Sequence, residues 1–573
     1  MTLAGRFDFA SGRAVHEGPG DAARSPSGSE LTWDGRLDNR SELPRWEKAA
    51  LPSDACIALD AFERHGIRGL RSLVGDWSLA LCDAPRRMLH LARDYMGARP
   101  LYYSQDDRGI SWSSDLAELV ERCGRRDALR DLFAAHVMSQ RPLPALTPYE
   151  GIHPVPTGGC VSIAADAVAR TTSFWTLRTD RLRYADPRDY EQHLRSLWRD
   201  AVGARLRGVR TVWAELSGGL DSSSVVCMAD RLIRRGEVDA AELRLVSHAT
   251  LRSPEGDERR FIAEVEQQVG VRSEIIGVED HQPLVDPERA WVTPYALQGV
   301  GLATVRRVLE NGGRLVLSGR LGDAVMGCQP DNSASVFDDA GRWDLRGVLR
   351  KMRAWSRATH KPFVEIAWRL FAPEAPPADT GAGLLTSRLR QMLLDAPDAS
   401  RAVTDIPRSK RALAAMVLAY TNGRLDIPHY PPAVAYTYPF AHRPLVEFVL
   451  AIPGEELSAP GVTRSLMRRA FADLLPPRVL NRQSKGYYPP AALRAARRQI
   501  ATILSVDAFE VVQRGWIDPD RLRQSLRTLA DGGGESGGDI HRVLHLERWL
   551  LARHGRSDIP QRKEVNSHAV LNA

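Results

Sequence analysis

The stretch ELSGGLDSSSVV runs from Glu215 to Val226. It joins an apolar, strand-like run, TVWAEL (Thr211–Leu216), to a run of helical periodicity, SSVVCMADRLIRRG (Ser223–Gly236), that ends in glycine. Gly218 and Gly219 let the backbone pass close to a bound group with no Cβ in the way. N–H groups at a helix start, with the hydroxyls of Ser217, Ser222 and Ser223, can donate to anionic oxygens. Asp221 is the odd member, because a carboxylate repels phosphate unless Mg²⁺ bridges the two. The Walker A order G-x-x-x-x-G-K-S/T is not this one.

On either side of this junction the texture differs. Before it, short strand-like runs predominate: Leu31–Leu37, Trp77–Asp83, Arg87–Asp94, Pro100–Gln105 and Gly109–Asp115, separated by turn residues. Helical stretches are expected near Asp54–His65 and Leu116–Met138, and together these predict an α+β sandwich. YEGIHPVPTGGCVSI (Tyr149–Ile163) reads as a connector ending in a hairpin. From the helical run near Arg188–Arg207 onward, strands alternate with helices. LRLVSHA (Leu243–Ala249) and GRLVLSG (Gly313–Gly319) are strands, and Asp257–Gly270 is an amphipathic helix. That alternation predicts a doubly wound parallel sheet. After about Trp343 the pattern is mainly helical.

The 573 residues carry a net charge of +7, small for the length and spread along the chain. A solvated surface is therefore expected, with no nucleic-acid partner. No stretch of about 18 apolar residues occurs, so no membrane span is expected. The first thirty residues lack an apolar signal core, and the cytoplasm is the expected location. The six cysteines form no CxxC pair and the histidines no HExxH spacing.

The order SGGLDSS resembles the PP-loop of ATP pyrophosphatases, which cleave ATP between its α- and β-phosphates and leave AMP on a substrate oxygen. SGRLGDAVMG (Ser318–Gly327) resembles a second segment of the asparagine synthetase family. The resemblance implies that Leu216, Ser318 and Gly319 lie by the nucleotide, with Ser247 a further candidate. It implies that Asp221 and Asp323 face Mg²⁺. LLPPRVLNRQSKGYYPP (Leu474–Pro490) resembles the family's lysine loop, with Arg482 at the motif arginine and Lys485 at the reacting acyl-adenylate. There an ammonium would stabilise the pyrophosphate and the oxyanion.

DGRLDNRSEL (Asp34–Leu43), RGLRSLVGDWSLALCD (Arg68–Asp83) and ARDYMGARPLYY (Ala92–Tyr103) resemble the family's glutaminase domain, an Ntn-hydrolase-type sandwich. The implied architecture is a glutamine amidotransferase-like domain over 1–178 and a PP-loop, Rossmann-like synthetase domain with a helical C-terminal part over 188–573.

This sequence departs from the family where glutamine is hydrolysed. Thr2 follows Met1 where a nucleophilic cysteine is required, and the glutamine-binding N-G-E reads Asp34-Gly35-Arg36. The domain is expected to be degenerate. Family branches that have lost this step activate a carboxylate and let an amine of the same molecule attack it. DGRLDNR, the Ser-Lys-Gly-Tyr order at Lys485 and Arg320 in place of a glutamate are most similar to the lasso peptide cyclases. These join the N-terminal amine of a core peptide to an Asp or Glu side chain, using ATP and Mg²⁺ and releasing AMP and pyrophosphate. A leader peptidase and a leader-binding protein are the implied partners. Ala435 stands where a glutamate is expected, so no catalytic base can be assigned from the motif. The alternatives are a β-lactam synthetase, an ammonia-dependent asparagine synthetase and a non-catalytic peptide- or nucleotide-binding scaffold.

Overall fold

The computed structural model describes residues 3–18, 20–43, 52–139, 146–164, 166–177, 181–250, 257–278, 292, 294, 299–337, 345–368, 382–397, 406–421, 434–483, 506–531 and 537–555. Thr2, Ser484 and Lys485 lie outside these ranges.

The N-terminal half contains β1 (Ala4–Asp8), β2 (Arg13–Glu17), β3 (Asp21–Arg24), β4 (Glu30–Leu37), β5 (Gly75–Asp83) and β6 (Met88–Arg93). β7 (Tyr102–Gln105), β8 (Gly109–Ser113), β9 (His153–Pro154), β10 (Gly159–Ile163) and β11 (Arg170–Ser173) follow. Two antiparallel sheets result, in the orders β2-β1-β8-β7-β9 and β11-β10-β6-β5-β4-β3. Successive side chains of a strand point to opposite faces. On β5, Ala80 and Cys82 accordingly join a core with Phe7, Ile110 and Trp112 of the facing sheet. Trp77, Leu79 and Leu81 enter a second core on the other side, with Phe62 of the helix Asp54–His65. Because both faces are covered, the strand reads as an almost unbroken apolar run.

The helix expected over Leu116–Met138 is two helices, Leu116–Arg122 and Asp131–Ser139. Gly124 takes φ +61° just past the first helix, and the polar run around it has no apolar stripe to bury. Asp131 then accepts a hydrogen bond from Trp516 Nε1 at 2.7 Å, tying the second helix to the C-terminal helical layer.

The second half is built on β12 (Thr211–Glu215), β13 (Glu242–Ala249), β14 (Ser273–Gly277), β15 (Leu315–Leu317) and β16 (Ala435–Thr437). All pair in parallel, in the order β14-β13-β12-β15-β16. Helices Pro187–Ala204 and Leu220–Arg234 cover one face, with Trp198 and Val225 packed in one cluster with Val212 and Ala214. Helix Gly299–Glu310 covers the other, where Val305 and Val308 meet Trp213 and Val316. The strand order reverses between β12 and β15, so their C-terminal ends open a crevice at the topological switch point.

One apolar cluster runs from Trp33, Trp77 and Trp175 of the sandwich to Leu194, Trp198 and Phe440 of the second half. Across that junction Tyr95 donates to the Ala441 carbonyl at 2.6 Å, and Trp175 Nε1 to Glu447 at 2.8 Å. Among the described residues no helix is long and apolar enough to cross a membrane.

Candidate active site

The loop after β12 turns on Gly218, whose φ of +67° favours glycine. A Cβ there would stand 2.6 Å from Phe261 Cβ and 2.9 Å from the Ile262 nitrogen, so the residue is fixed by packing as well as by conformation. The Leu216 N–H bonds the Val246 carbonyl at 2.9 Å, which carries the strand order into the loop. Ser222 Oγ accepts the Ser217 N–H at 3.1 Å and lies 3.0 Å from Ser217 Oγ. Helix Leu220–Arg234 then starts on Gly219 with no side-chain cap. An uncapped helix start leaves N–H groups available to an anion. Ser223 Oγ and Ser247 Oγ are buried, with no hydrogen-bond partner among the described residues. Buried hydroxyls left this way are costly unless something completes them.

The loop after β15 is pressed against this one. A Cβ on Gly319 would meet the Ser222 nitrogen at 2.6 Å, and one on Gly322 would meet Asp221 Cγ at 2.3 Å. Any larger residue at these two positions would push the loops apart. Between them Leu321 adopts φ +76°, an outlying conformation for a bulky side chain, next to Asp323. The candidates Leu216, Ser217, Gly218, Gly219, Asp221, Ser222, Ser223, Ser318, Gly319 and Asp323 therefore gather at the crevice. Ser247 sits beside it within β13, opposite Ile275.

A single guanidinium joins the two carboxylates proposed for the metal. Arg464 Nη2 is 3.3 Å from Asp221 Oδ2 and also pairs with Asp323 Oδ1. The position they share suits a cation. Among the described residues no three or more His, Cys, Asp or Glu form a metal-binding group. The glycine cradle and the unsatisfied serine hydroxyls fit a nucleotide with its metal. Asp221 and Asp323 would hold the metal, and the serines and helix N–H groups the phosphates. Mg²⁺ bound there would neutralise charge developing on the phosphates.

Arg482 links the start of the lysine loop to the glycine loop. Its Nη1 donates to the Gly218 carbonyl at 2.9 Å, its Nη2 pairs with buried Glu258, and its guanidinium lies 4.2 Å from the centre of the Phe261 ring. The assignment of Lys485 itself falls outside the described residues.

Two side chains that the motifs do not name belong to this place. Glu215 ends β12, and its Oε2 accepts from Ser318 Oγ at 2.5 Å. Burial pushes its carboxyl up, against that hydrogen bond and the Arg320 charge. A lone acid at the tip of TVWAEL was the available signal. Arg464 had none, since neither its left-handed backbone (φ +54°) nor its approach to positions 221 and 323 is encoded in local spacing.

The altered glutamine-binding stretch lies elsewhere, at the junction of the two halves. Arg36 donates through Nε to Asp38 at 2.8 Å, through Nη2 to Asp76 at 2.7 Å and through Nη1 to Thr437 Oγ1 at 3.1 Å. Arg205 lies 3.6 Å from Asp38 and 3.4 Å from Asp76, and His442 Nδ1 is 3.5 Å from Asp38. Burial opposes the charged form of both aspartates, yet the guanidiniums outweigh it and hold both carboxyls below the usual range.

The family model for asparagine synthase matches residues 193–551, and that for a glutamine amidotransferase domain matches 37–175. Asparagine synthetase (glutamine-hydrolyzing) 3 of Bacillus subtilis is 22% identical over 534 residues, 87% of this chain and 82% of that protein. Amidase chry2 of Gibberella zeae is 26% identical over 332 residues, and the match spans 52% of this chain and 48% of that protein. Among solved structures, glutamine phosphoribosylpyrophosphate amidotransferase from B. subtilis aligns over 56% of this chain and 75% of its own, at 13% identity and a TM-score of 0.22.

Proposed function

From the premise that the chain belongs to the asparagine synthase family, and so is an ATP-dependent amide-forming ligase, we propose that it is a lasso peptide cyclase. It would adenylate an Asp or Glu side chain of a core peptide and close a macrolactam onto the N-terminal amine. The observation that carries this reading is the contrast between its two sites. The nucleotide loops keep their small residues and both carboxylates. Arg36, which replaces the glutamate of the glutamine-binding motif, is committed instead to Asp38, Asp76 and Thr437. An activating site without glutamine-derived ammonia suits an amine carried by the substrate itself, and the absence of any requirement for free ammonia separates this reading from an ammonia-dependent synthetase.

In this reading the peptide carboxylate attacks the α-phosphorus of Mg²⁺·ATP and pyrophosphate leaves from the helix start. The amine then attacks the acyl-adenylate, and AMP leaves. Lys485, three residues after the anchored Arg482, would stabilise the oxyanion. Holding amine and acyl-adenylate together can lower the barrier by up to about 7–11 kcal/mol. A leader peptidase and a leader-binding protein are the partners this chemistry calls for.

The test is a core peptide with an internal Asp or Glu, offered with Mg²⁺·ATP. The product should lose the mass of a water, resist N-terminal sequencing and appear with stoichiometric AMP and pyrophosphate. Glutamate release from added glutamine should stay at background. ADP with phosphate would overturn the PP-loop chemistry, and acyl-AMP without ring closure would overturn the cyclase reading alone.

A further inference from the structure

We infer that Arg464 is a built-in placeholder for the metal: it holds Asp221 and Asp323 together before Mg²⁺·ATP arrives, then passes to the departing pyrophosphate. The inference rests on the nucleotide reading of the crevice and adds to it a residue that no motif names. Three observations carry it.

The first is the bridge. One nitrogen, Nη2, reaches a carboxylate oxygen from each loop. A metal ligated by both carboxylates cannot share that space with a guanidinium nitrogen in contact with both, so one must leave when the other enters.

The second is the backbone. Arg464 adopts φ +54° and ψ +40°, uncommon for a long side chain. It is held there by its own N–H to the Gly327 carbonyl at 3.3 Å and by the Arg468 N–H to its carbonyl at 3.0 Å. Gly327 closes the segment that carries Asp323. The strained turn is therefore fastened to the loop that the side chain serves, which is where strain is retained for function.

The third is the surroundings. The Arg464 side chain is only 13% exposed, whereas that of Asp323 is 52% exposed, so the bridge is open to solvent on the Asp323 side. Arg468, one helical turn on, donates to the Leu480 and Arg482 carbonyls. The arginine turn, the lysine loop and the glycine loop thus form one connected frame. A guanidinium released from the carboxylates inside that frame has the uncapped start of helix Leu220–Arg234 before it, where the leaving phosphates would lie. Its planar fork matches phosphate oxygens.

The experiment compares the full-length parent with Arg464→Asn and Arg464→Lys. Asparagine tolerates the left-handed backbone, so loss of charge is separated from backbone strain. Lysine keeps the charge. Thermal unfolding is followed with Mg²⁺ alone, and binding of Mg²⁺·pyrophosphate by calorimetry. The parent and the lysine variant should respond weakly to Mg²⁺ alone, because the place is taken. The asparagine variant should be stabilised by it. Affinity for Mg²⁺·pyrophosphate should fall by about tenfold in the asparagine variant, the cost of one charge-assisted hydrogen bond. Equal Mg²⁺ responses in all three proteins, or unchanged pyrophosphate affinity, would overturn the placeholder. A parent that binds neither Mg²⁺·ATP nor Mg²⁺·pyrophosphate would instead overturn the nucleotide reading, and the placeholder with it.

Discussion

At the crevice, Arg464 bridges Asp221 and Asp323; at the junction of the two halves, Arg36 and Arg205 bridge Asp38 and Asp76. The chemistry is the same and the settings are opposite. The junction cluster is sealed: the Arg205, Asp38 and Asp76 side chains are 0%, 2% and 8% exposed. Hydrogen bonds to Thr437 and to the Ala201 carbonyl add to it, although Asp38 Oδ2 and Arg205 Nε are buried with no hydrogen-bond partner among the described residues. The crevice pair is partly open, lies between glycines, and is neighboured by buried serine hydroxyls with no hydrogen-bond partner among the described residues. What separates the two clusters is therefore exposure: the junction carboxylates are buried between the two halves, whereas the Asp323 side chain at the crevice is 52% exposed. The amidotransferase-like half is thus joined to the second half by ion pairs that include Arg36 and Arg205.

If the crevice carboxylates serve chemistry, Asp221→Asn should have the largest effect. ATP-dependent pyrophosphate release should fall by about 10³-fold or more, since metal-borne charge stabilisation supplies several kcal/mol. Circular dichroism and the melting temperature should stay near the parent's, because the amide keeps the shape that packs on Gly322. Near-normal turnover would place the crevice with the junction cluster as mere structure.

The junction should answer in the other currency, stability. Arg205→Met leaves buried carboxylates short of a partner and should cost about 3 kcal/mol in unfolding free energy. The protein that remains folded should still release pyrophosphate. The sign of the pH dependence follows from the lowered carboxyl pKa values of Asp38 and Asp76. A carboxyl with a folded pKa below its unfolded value, about 3.9, stabilises fully above that value and loses its contribution as pH falls below it. The gap in melting temperature between parent and variant should hold from neutral pH to about pH 5 and close in more acid solution. A gap independent of pH would mean that packing, not charge, holds the junction.

Much of this was legible in the sequence, for reasons that differ by element. The Glu215–Val226 junction was readable because phosphate loops need small residues at fixed offsets; Gly218 does meet neighbouring backbone, whereas a Cβ on Gly219 would meet only the Ser217 hydroxyl, at 3.4 Å. β5 was readable from its apolar run. β14 was not: Ser273 and Glu274 give it polar texture at a sheet edge, where burial on both faces is not required. β16 is a three-residue strand placed by its neighbour β15 rather than by its own pattern. The break at Gly124 was signalled by the glycine, but the flanking apolar runs masked it. The replacement of Glu by Arg36 could be seen, while its partners could not, since Asp76, Arg205 and Thr437 are distant in the chain.

The smallest predicted effect tests whether the two regions are independent. Thr437 stands between them. Its hydroxyl accepts from Arg36 at 3.1 Å and donates to Asp76 at 3.2 Å, so it belongs to the junction cluster. Its carbonyl accepts the Ser318 N–H at 3.0 Å, so its backbone belongs to the crevice. Thr437→Val removes the hydroxyl with little change of shape and leaves the carbonyl in place. If the regions are coupled only through the rigid strand, stability should fall by about 1–2 kcal/mol, the cost of lost hydrogen bonds at a buried charge. Pyrophosphate release should then stay within about twofold of the parent, because the Ser318–Glu215 hydrogen bond rests on the retained main-chain pairing. A larger loss of turnover, with stability changed no more than this, would show the ion cluster reaching the nucleotide site through β16. The first half of the chain would then set the geometry of catalysis in the second, and the contrast between a sealed junction and an open site would have to be redrawn as one connected unit.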